Sequence, residues 1–99
     1  MTLDEFKESI EKLQKCPTSL PLSLQSLWYE KKGNWHKAHD LLEDASDKDS
    51  AWVHAYLHRR EGDLNNARYW YNRSGKTESK VSLDEEWDEI ALQLITKVK

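Results

Sequence analysis

The sequence predicts an all-α protein of about six helices, in which a leading and a closing helix flank two central helical hairpins. Apolar residues recur every three or four positions in the helical segments, and no segment shows convincing β-strand alternation. The turn Gly33-Asn34-Trp35 is followed 29 residues later by Gly62-Asp63-Leu64, a turn of the same chemistry. Residues of one class also recur at this spacing: Leu24 and Val53, Leu27 and Tyr56, Ala38 and Ala67, and Leu42 and Tyr71. A fixed period of this size is typical of stacked helical hairpins.

The composition indicates one small soluble domain of 99 residues, with five Trp and four Tyr to fill a single core. The net charge of −3, without a basic run, argues against nucleic acid as a partner. No stretch approaches the roughly 18 apolar residues of a membrane span, and the first residues are unlike a signal peptide. Cys16 is the single cysteine and has no partner for an internal disulfide. Together these features favour a cytoplasmic protein.

The first two helices are predicted from their caps and apolar stripes. Thr2 and Glu5 have the spacing of a capping box, and we expect the first helix to run to about Lys15. Ser19 is the expected cap of the second helix, which ends at Gly33 in a left-handed cap. The inward residues are Phe6, Ile10 and Leu13, and then Leu20, Leu24, Leu27 and Trp28.

The same signals predict the other four helices. We expect the third over 35–45, the fourth over 51–61 with a cap at Asp49 or Ser50, and the fifth over 64–73. The inward residues of the fifth helix are Leu64, Ala67, Trp70 and Tyr71. Ser82 and Glu85 mark the start of the closing helix. Its buried stripe is Leu83, Trp87, Ile90, Ala91, Leu94 and Val98, and its exposed acidic side is Asp84, Glu86, Asp88 and Glu89.

One run of the sequence resembles a known signature. Residues 52–71, WVHAYLHRREGDLNNARYWY, are similar to the signature of an uncharacterised family of small helical proteins, in which a pair like Ala38-His39 lies upstream. Residues 20–74 loosely resemble tetratricopeptide and Sel1-like repeats in their turns and inward alanines, although the period is 29 and the usual closing proline is missing. The resemblance implies tetratricopeptide-like hairpins and supplies no mechanism.

The fourth helix carries the residues best suited to chemistry. Apolar side chains cover most of its circumference, and the residues on the remaining narrow face are Ser50, His54, His58 and Glu61. Two histidines at i and i+4 can bind one metal ion, with a third ligand from Glu61, His39 or His36. The glutamate that zinc proteases place beside the first histidine is missing, and so are cysteine ligands. Three interpretations stay open: a polar face against a helix or solvent, a histidine-lined ligand pocket, and a metal site. We predict no metal and no cofactor.

Arginine and tyrosine residues provide a second set of candidates. Arg59 and Arg60 fall inside the apolar arc of the fourth helix, where an unpaired charge is costly. They either pair with acids of the closing helix or stack on tryptophan, or else Arg59 binds an anionic ligand or a partner carboxylate. Tyr69 lies on an otherwise polar face beside Asn66 and Arg73, and residues of this kind anchor interfaces. The alternative is that Tyr69 covers a neighbouring helix or loop.

The first functional hypothesis is a small helical-repeat module that binds a protein or peptide. Its candidate residues are His54, His58, Arg59, Asn66, Tyr69 and Arg73. The second is a small-molecule-binding protein or minor enzyme that uses His54 and His58 with His39 as a helper. A third is a homodimer through the apolar residues Leu22, Tyr29 and Tyr69. A Gly-rich phosphate loop, a Gly-x-Ser-x-Gly turn and paired-cysteine zinc spacing are missing from the sequence, which favours a protein other than an enzyme.

Overall fold

The protein consists of helices and connecting turns in a computed structural model that describes residues 1–98. The helices are α1 (Leu3–Lys12), α2 (Leu22–Lys31), α3 (Trp35–Leu41), α4 (Lys48–Glu61), α5 (Leu64–Ser74) and α6 (Leu83–Val98). No residue within 1–98 belongs to a β-strand. The predicted all-α fold with six helices is therefore confirmed.

Helix α4 occupies the centre of the fold, because α2, α3, α5 and α6 all pack against it. Every residue from Ser50 to His58 is buried, including those on its polar face. Trp28 and Trp87 are the largest fully buried side chains of the core. The ring of Phe6 stacks on Trp87 with centroids 5.7 Å apart. A helix that is buried all round must satisfy its polar side chains through its neighbours, and this requirement shapes the site described below.

The two similar turns have the geometry that the sequence predicts. Gly33 and Gly62 have φ angles of +97° and +89°, a left-handed conformation that favours glycine. The side chains of Asn34 and Asp63 then accept hydrogen bonds from backbone N–H groups three residues further on, at 3.1 and 3.2 Å. Across these turns α2 packs against α3, and α4 packs against α5. The repeat relation between the two pairs stays a prediction.

Helix α6 packs against α1, α2 and α4, whereas the backbone of α5 lies close to α4 alone within the described part of the chain. The outer side of α5 is consequently open. Leu64 is 59% exposed, so the prediction that it faces the core is wrong. Trp35, its counterpart one period earlier, is half-buried because α4 lies beside it. Val98 was also predicted to face inward and is exposed, while Ile95 is buried on α6 instead.

The N-terminal caps agree only in part with the predictions. The capping box at Thr2 is present, with both of its reciprocal hydrogen bonds. Ser19 does not cap α2, which begins after a proline without a side-chain cap. Helix α4 begins three residues early because Asp47 accepts the backbone N–H of Ser50 at 2.9 Å, so the predicted cap at Asp49 or Ser50 is wrong. Several short polar side chains of the 46–50 connector suit a cap, so the sequence alone does not select one of them.

Two helices end earlier than predicted. Helix α1 ends at Lys12 rather than near residue 15, because Leu13 adopts an extended conformation. Helix α3 ends at Leu41 rather than at residue 45, where the chain tightens into turns with i→i−3 hydrogen bonds such as Ala45 N–H to the Leu42 carbonyl, 3.0 Å. The same Leu42 carbonyl also lies 3.3 Å from Nε2 of His54 on α4.

Candidate functional site

Three of the four histidines come together between α3 and α4. One ring nitrogen from each of His39, His54 and His58 lies within 4.8 Å of the other two. The ring centroids are 5.0 Å apart for His39 and His54, and 5.4 Å apart for His39 and His58. His36 is exposed and lies outside the group. We call His39, His54 and His58 the histidine cluster. Among the ligands that the sequence left open, His39 is the one that joins both histidines of α4.

His54 is 3% exposed and has an unused nitrogen. Its Nε2 lies 3.3 Å from the Leu42 carbonyl oxygen, and a carbonyl only accepts, so Nε2 carries the proton. Its Nδ1 has no hydrogen-bond partner among the described residues. Burial lowers the pKa of His54 to about 4, and the neighbouring His39 and His58 lower it as well, against the raising effect of the carbonyl. His54 is therefore neutral at pH 7 and keeps a free lone pair on Nδ1.

His58 is oriented by a carboxylate. It is 6% exposed, and its Nδ1 lies 2.6 Å from Oε1 of Glu61, one helical turn further on. A carboxylate only accepts hydrogen bonds, so Nδ1 donates the proton and a neutral ring keeps its lone pair on Nε2. A carboxylate behind a histidine is the arrangement that fixes the orientation of the ring in many metal sites. Glu61 therefore orients the ring of His58.

Two tryptophans form the sides of the histidine cluster. Trp35 stacks on His39 with centroids 5.0 Å apart, and its Nε1 donates to the Leu57 carbonyl at 3.0 Å. Trp70 stacks on His54 at 4.0 Å with an interplanar angle of 9°. Trp70 was predicted to face the core, and the contact of either tryptophan with the histidines was not predicted. The available signal was spacing, because Trp35 precedes His39 by four residues and so shares its helix face.

A second group of potential ligands adjoins the cluster. His58, Glu61 and Asp63 each offer one ligand atom within 4.8 Å of the others. Both carboxylates already have protein partners, since Glu61 accepts from His58 and Asp63 accepts the backbone N–H of Asn66 at the start of α5. Both carboxylates also belong to exposed residues. This group is therefore better explained by orientation of His58 and capping of α5 than by ligand binding.

Arg59, a predicted binding residue, points away from the histidine cluster into an ion-pair network. Its Nη1 donates to Oε1 of Glu86 at 2.8 Å, and its Nη2 donates to a backbone carbonyl. Arg60 lies 3.4 Å from Glu30 and 3.9 Å from Asp84. Both arginines thus pair with acids of α6, which is one of the interpretations that the sequence left open. Glu86 is 1% exposed, so its predicted place on the exposed side of α6 is wrong.

The other predicted binding residues, Asn66, Tyr69 and Arg73, lie on the outer side of α5 and are exposed. Tyr69 is 52% exposed, and its hydroxyl accepts a hydrogen bond from Nη1 of Arg73 at 3.0 Å. The Arg73 guanidinium also lies 5.4 Å from the ring centroid of Trp70. The structure therefore separates the predicted residues into a buried histidine cluster and an exposed α5 surface, with Trp70 between them.

The single cysteine takes no part in either group. Cys16 is buried, and burial raises the pKa of its thiol to about 11. The thiolate is the reactive and metal-binding form of cysteine, so this residue is protonated and inert at neutral pH.

Comparison with known proteins yields no matching family model, no similar curated protein and no similar solved structure. Among the described helices, none combines the length and the apolar character needed to cross a membrane. The chemistry of the site therefore rests on the geometry of its own residues.

Proposed function

We propose that the protein is a small-ligand-binding module and that the histidine cluster, His39, His54 and His58, is its site. The observation that carries this proposal is the convergence of three imidazoles, one of which, His54, has a buried nitrogen, Nδ1, without a hydrogen-bond partner in residues 1–98. Buried polar atoms of structural clusters are nearly always paired, and an unpaired one costs about 1–3 kcal/mol. Departures from this pairing of buried polar atoms are typical of functional sites.

The geometry restricts the kind of ligand. A neutral imidazole offers a lone pair, so the ligand is a species that accepts electron pairs or donates hydrogen bonds. One nitrogen from each of the three rings lies within 4.8 Å of the other two, so a ligand that contacts all three rings is a single atom or a very small group. An anion is disfavoured because His54 is neutral and Arg59, the predicted anion-binding residue, is paired with Glu86. We propose a cytoplasmic location as well, in keeping with the unpaired Cys16.

We expect the replacement His39→Leu to leave the free energy of unfolding within about 0.5 kcal/mol of the wild-type value, or above it. The ring of His39 contacts Trp35 by stacking, and leucine fills similar space without placing a polar ring beside His54 and His58. Urea denaturation of chelator-treated protein measures the difference, with the exposed His36→Leu as the matched control.

If the histidine cluster serves only to stabilise the core, His39→Leu should be destabilised. If His39→Leu lowers the free energy of unfolding by more than about 1.5 kcal/mol while His36→Leu does not, the histidines serve the core and the proposed site is wrong.

Partner binding through the outer side of α5 is the second candidate. Tyr69 is half exposed and is held in place by Arg73, and a fixed tyrosine with a neighbouring arginine resembles an interface anchor. The first sequence hypothesis also included His54, His58 and Arg59, which are buried or paired, so only part of that surface is accessible. The dimer hypothesis shares the exposed Tyr69 and adds Leu22 on α2, which is exposed too.

For this second candidate, we expect Tyr69→Ala to abolish recovery of a partner in a pull-down, since truncation of an anchor typically costs about 2 kcal/mol or more of binding energy. Asn72→Ala on the same helix is the control, because Asn72 is exposed as well. Equal recovery with both variants excludes the α5 surface, and a sedimentation measurement across concentrations separates a partner from a second copy of the chain.

A further inference from the structure

We infer that the ligand of the histidine cluster is a divalent transition-metal ion, held by one ring nitrogen each from His39, His54 and His58. This inference rests on the proposed function, because it names the ligand class of the same site. It departs from the sequence-based prediction of no metal, which rested on the missing glutamate and cysteine ligands. The structure adds the third histidine, which α3 brings to the pair on α4.

The three side chains form a donor set that suits a transition metal. Imidazole nitrogen is a preferred ligand of Zn²⁺, Cu²⁺, Ni²⁺ and Fe²⁺, whereas Mg²⁺ and Ca²⁺ require oxygen ligands. Zinc in proteins is often bound by three histidines, with the fourth position open to water or a small molecule. The two histidines of α4 are four residues apart, so one face of one helix supplies two of the three ligands.

The hydrogen bonds of the two α4 histidines also favour a cation as the ligand. A metal ligand must be deprotonated at the binding nitrogen, and each of the two α4 rings has its proton directed to a protein acceptor. His54 donates to the Leu42 carbonyl and His58 donates to Glu61. In metal sites, the other ring N–H of a bound histidine commonly donates to a backbone carbonyl or to a carboxylate, and this bond orients the ring. The chain therefore contains the outer hydrogen bonds of a metal site as well as the ligands.

The distances allow an ion after a small adjustment. Zn–N bonds of about 2.0–2.1 Å place the nitrogens of a tetrahedral site about 3.4 Å apart. One nitrogen from each ring lies within 4.8 Å of the other two, so binding requires an approach of at most about 1.4 Å. His39 is the least buried of the three histidines and lies on the short helix α3. Bound metal would tie α3 to α4 and raise the melting temperature.

Zinc binding to untagged, metal-free protein tests the inference by titration calorimetry against a competing chelator. We expect one Zn²⁺ per chain and no competition from excess Mg²⁺. His39→Ala should weaken zinc binding by at least about 100-fold, and Glu61→Ala by about 10- to 100-fold as the loss of an outer partner. The exposed His36→Ala is the matched control and should bind as the wild type does.

Several results would overturn the inference: no zinc binding at micromolar concentrations, binding that survives His39→Ala, or binding lost in His36→Ala. Loss of zinc in Asp63→Asn with retention in His39→Ala would place the ion on the carboxylate side of His58 and would also overturn it. If zinc does not bind and His39→Leu is as stable as the wild type, the metal is rejected and the proposed ligand site is retained. If zinc does not bind and His39→Leu is destabilised, the metal and the ligand site are both rejected.

Discussion

Replacing Trp87 by alanine is expected to lower the free energy of unfolding by about 3–5 kcal/mol. Trp87 is fully buried, stacks on Phe6, and donates from Nε1 to the Leu27 carbonyl at 3.2 Å. It therefore joins α6 to α1 and α2, and its removal leaves a large cavity and breaks the hydrogen bond to α2. Domains of this size are stable by roughly 5–15 kcal/mol, so the variant is expected to be partly unfolded at room temperature.

Urea denaturation followed by circular dichroism measures this loss, since five tryptophans complicate fluorescence. Leu92→Ala is the matched control on the same helix, because Leu92 is exposed and its truncation should change stability by less than about 0.5 kcal/mol. Equal midpoints for the two variants would contradict the packing of α6 against α1 and α2.

The second large effect is expected from Glu86→Ala, which should cost about 3–5 kcal/mol because it breaks a buried ion pair. Glu86 accepts hydrogen bonds from Arg59 at 2.8 Å and from the hydroxyl of Tyr71, so three helices meet at one carboxylate. Burial and the bond to Glu86 raise the pKa of Tyr71, so its hydroxyl stays a donor at neutral pH. Without Glu86, the Tyr71 hydroxyl and the Arg59 charge lose this partner.

The variant Glu86→Gln separates charge from hydrogen bonding. The amide keeps an acceptor oxygen in the same place and loses the charge, so we expect a loss of stability between those of wild type and Glu86→Ala. Glu89→Ala is the control, because Glu89 is exposed on the same helix. A loss of less than about 1 kcal/mol in Glu86→Ala would show that the buried pair contributes little to stability.

The parts of the fold that depend on local chemistry were predictable from the sequence. Gly33 and Gly62 adopt positive φ angles, and Asn34 and Asp63 cap the helices that follow, because these conformations depend on neighbouring residues alone. The position of α6 was not predictable in this way. The exposure of Leu64 follows from the packing of α5 against α4 alone among the described helices, and tertiary packing of this kind is not encoded locally.

The candidate site shows the same division. The spacing of His54 and His58 places them on one face of a helix, which the sequence shows directly. His39 joins the histidine cluster because α3 packs against α4. The sequence could name His39 only as one of three possible third ligands, together with Glu61 and His36. The burial of His54 involves Leu42 and Trp70, two tertiary contacts that a local sequence pattern does not show.

The most direct test of the histidine cluster is a long-range proton–nitrogen NMR spectrum of the imidazole rings in metal-free protein. We expect His54 to carry its proton on Nε2 and to remain neutral as the pH falls through 6, in line with a pKa of about 4. A His54 that is already an imidazolium at pH 6, or one that carries its proton on Nδ1 instead of Nε2, would contradict the free lone pair on which the binding site depends.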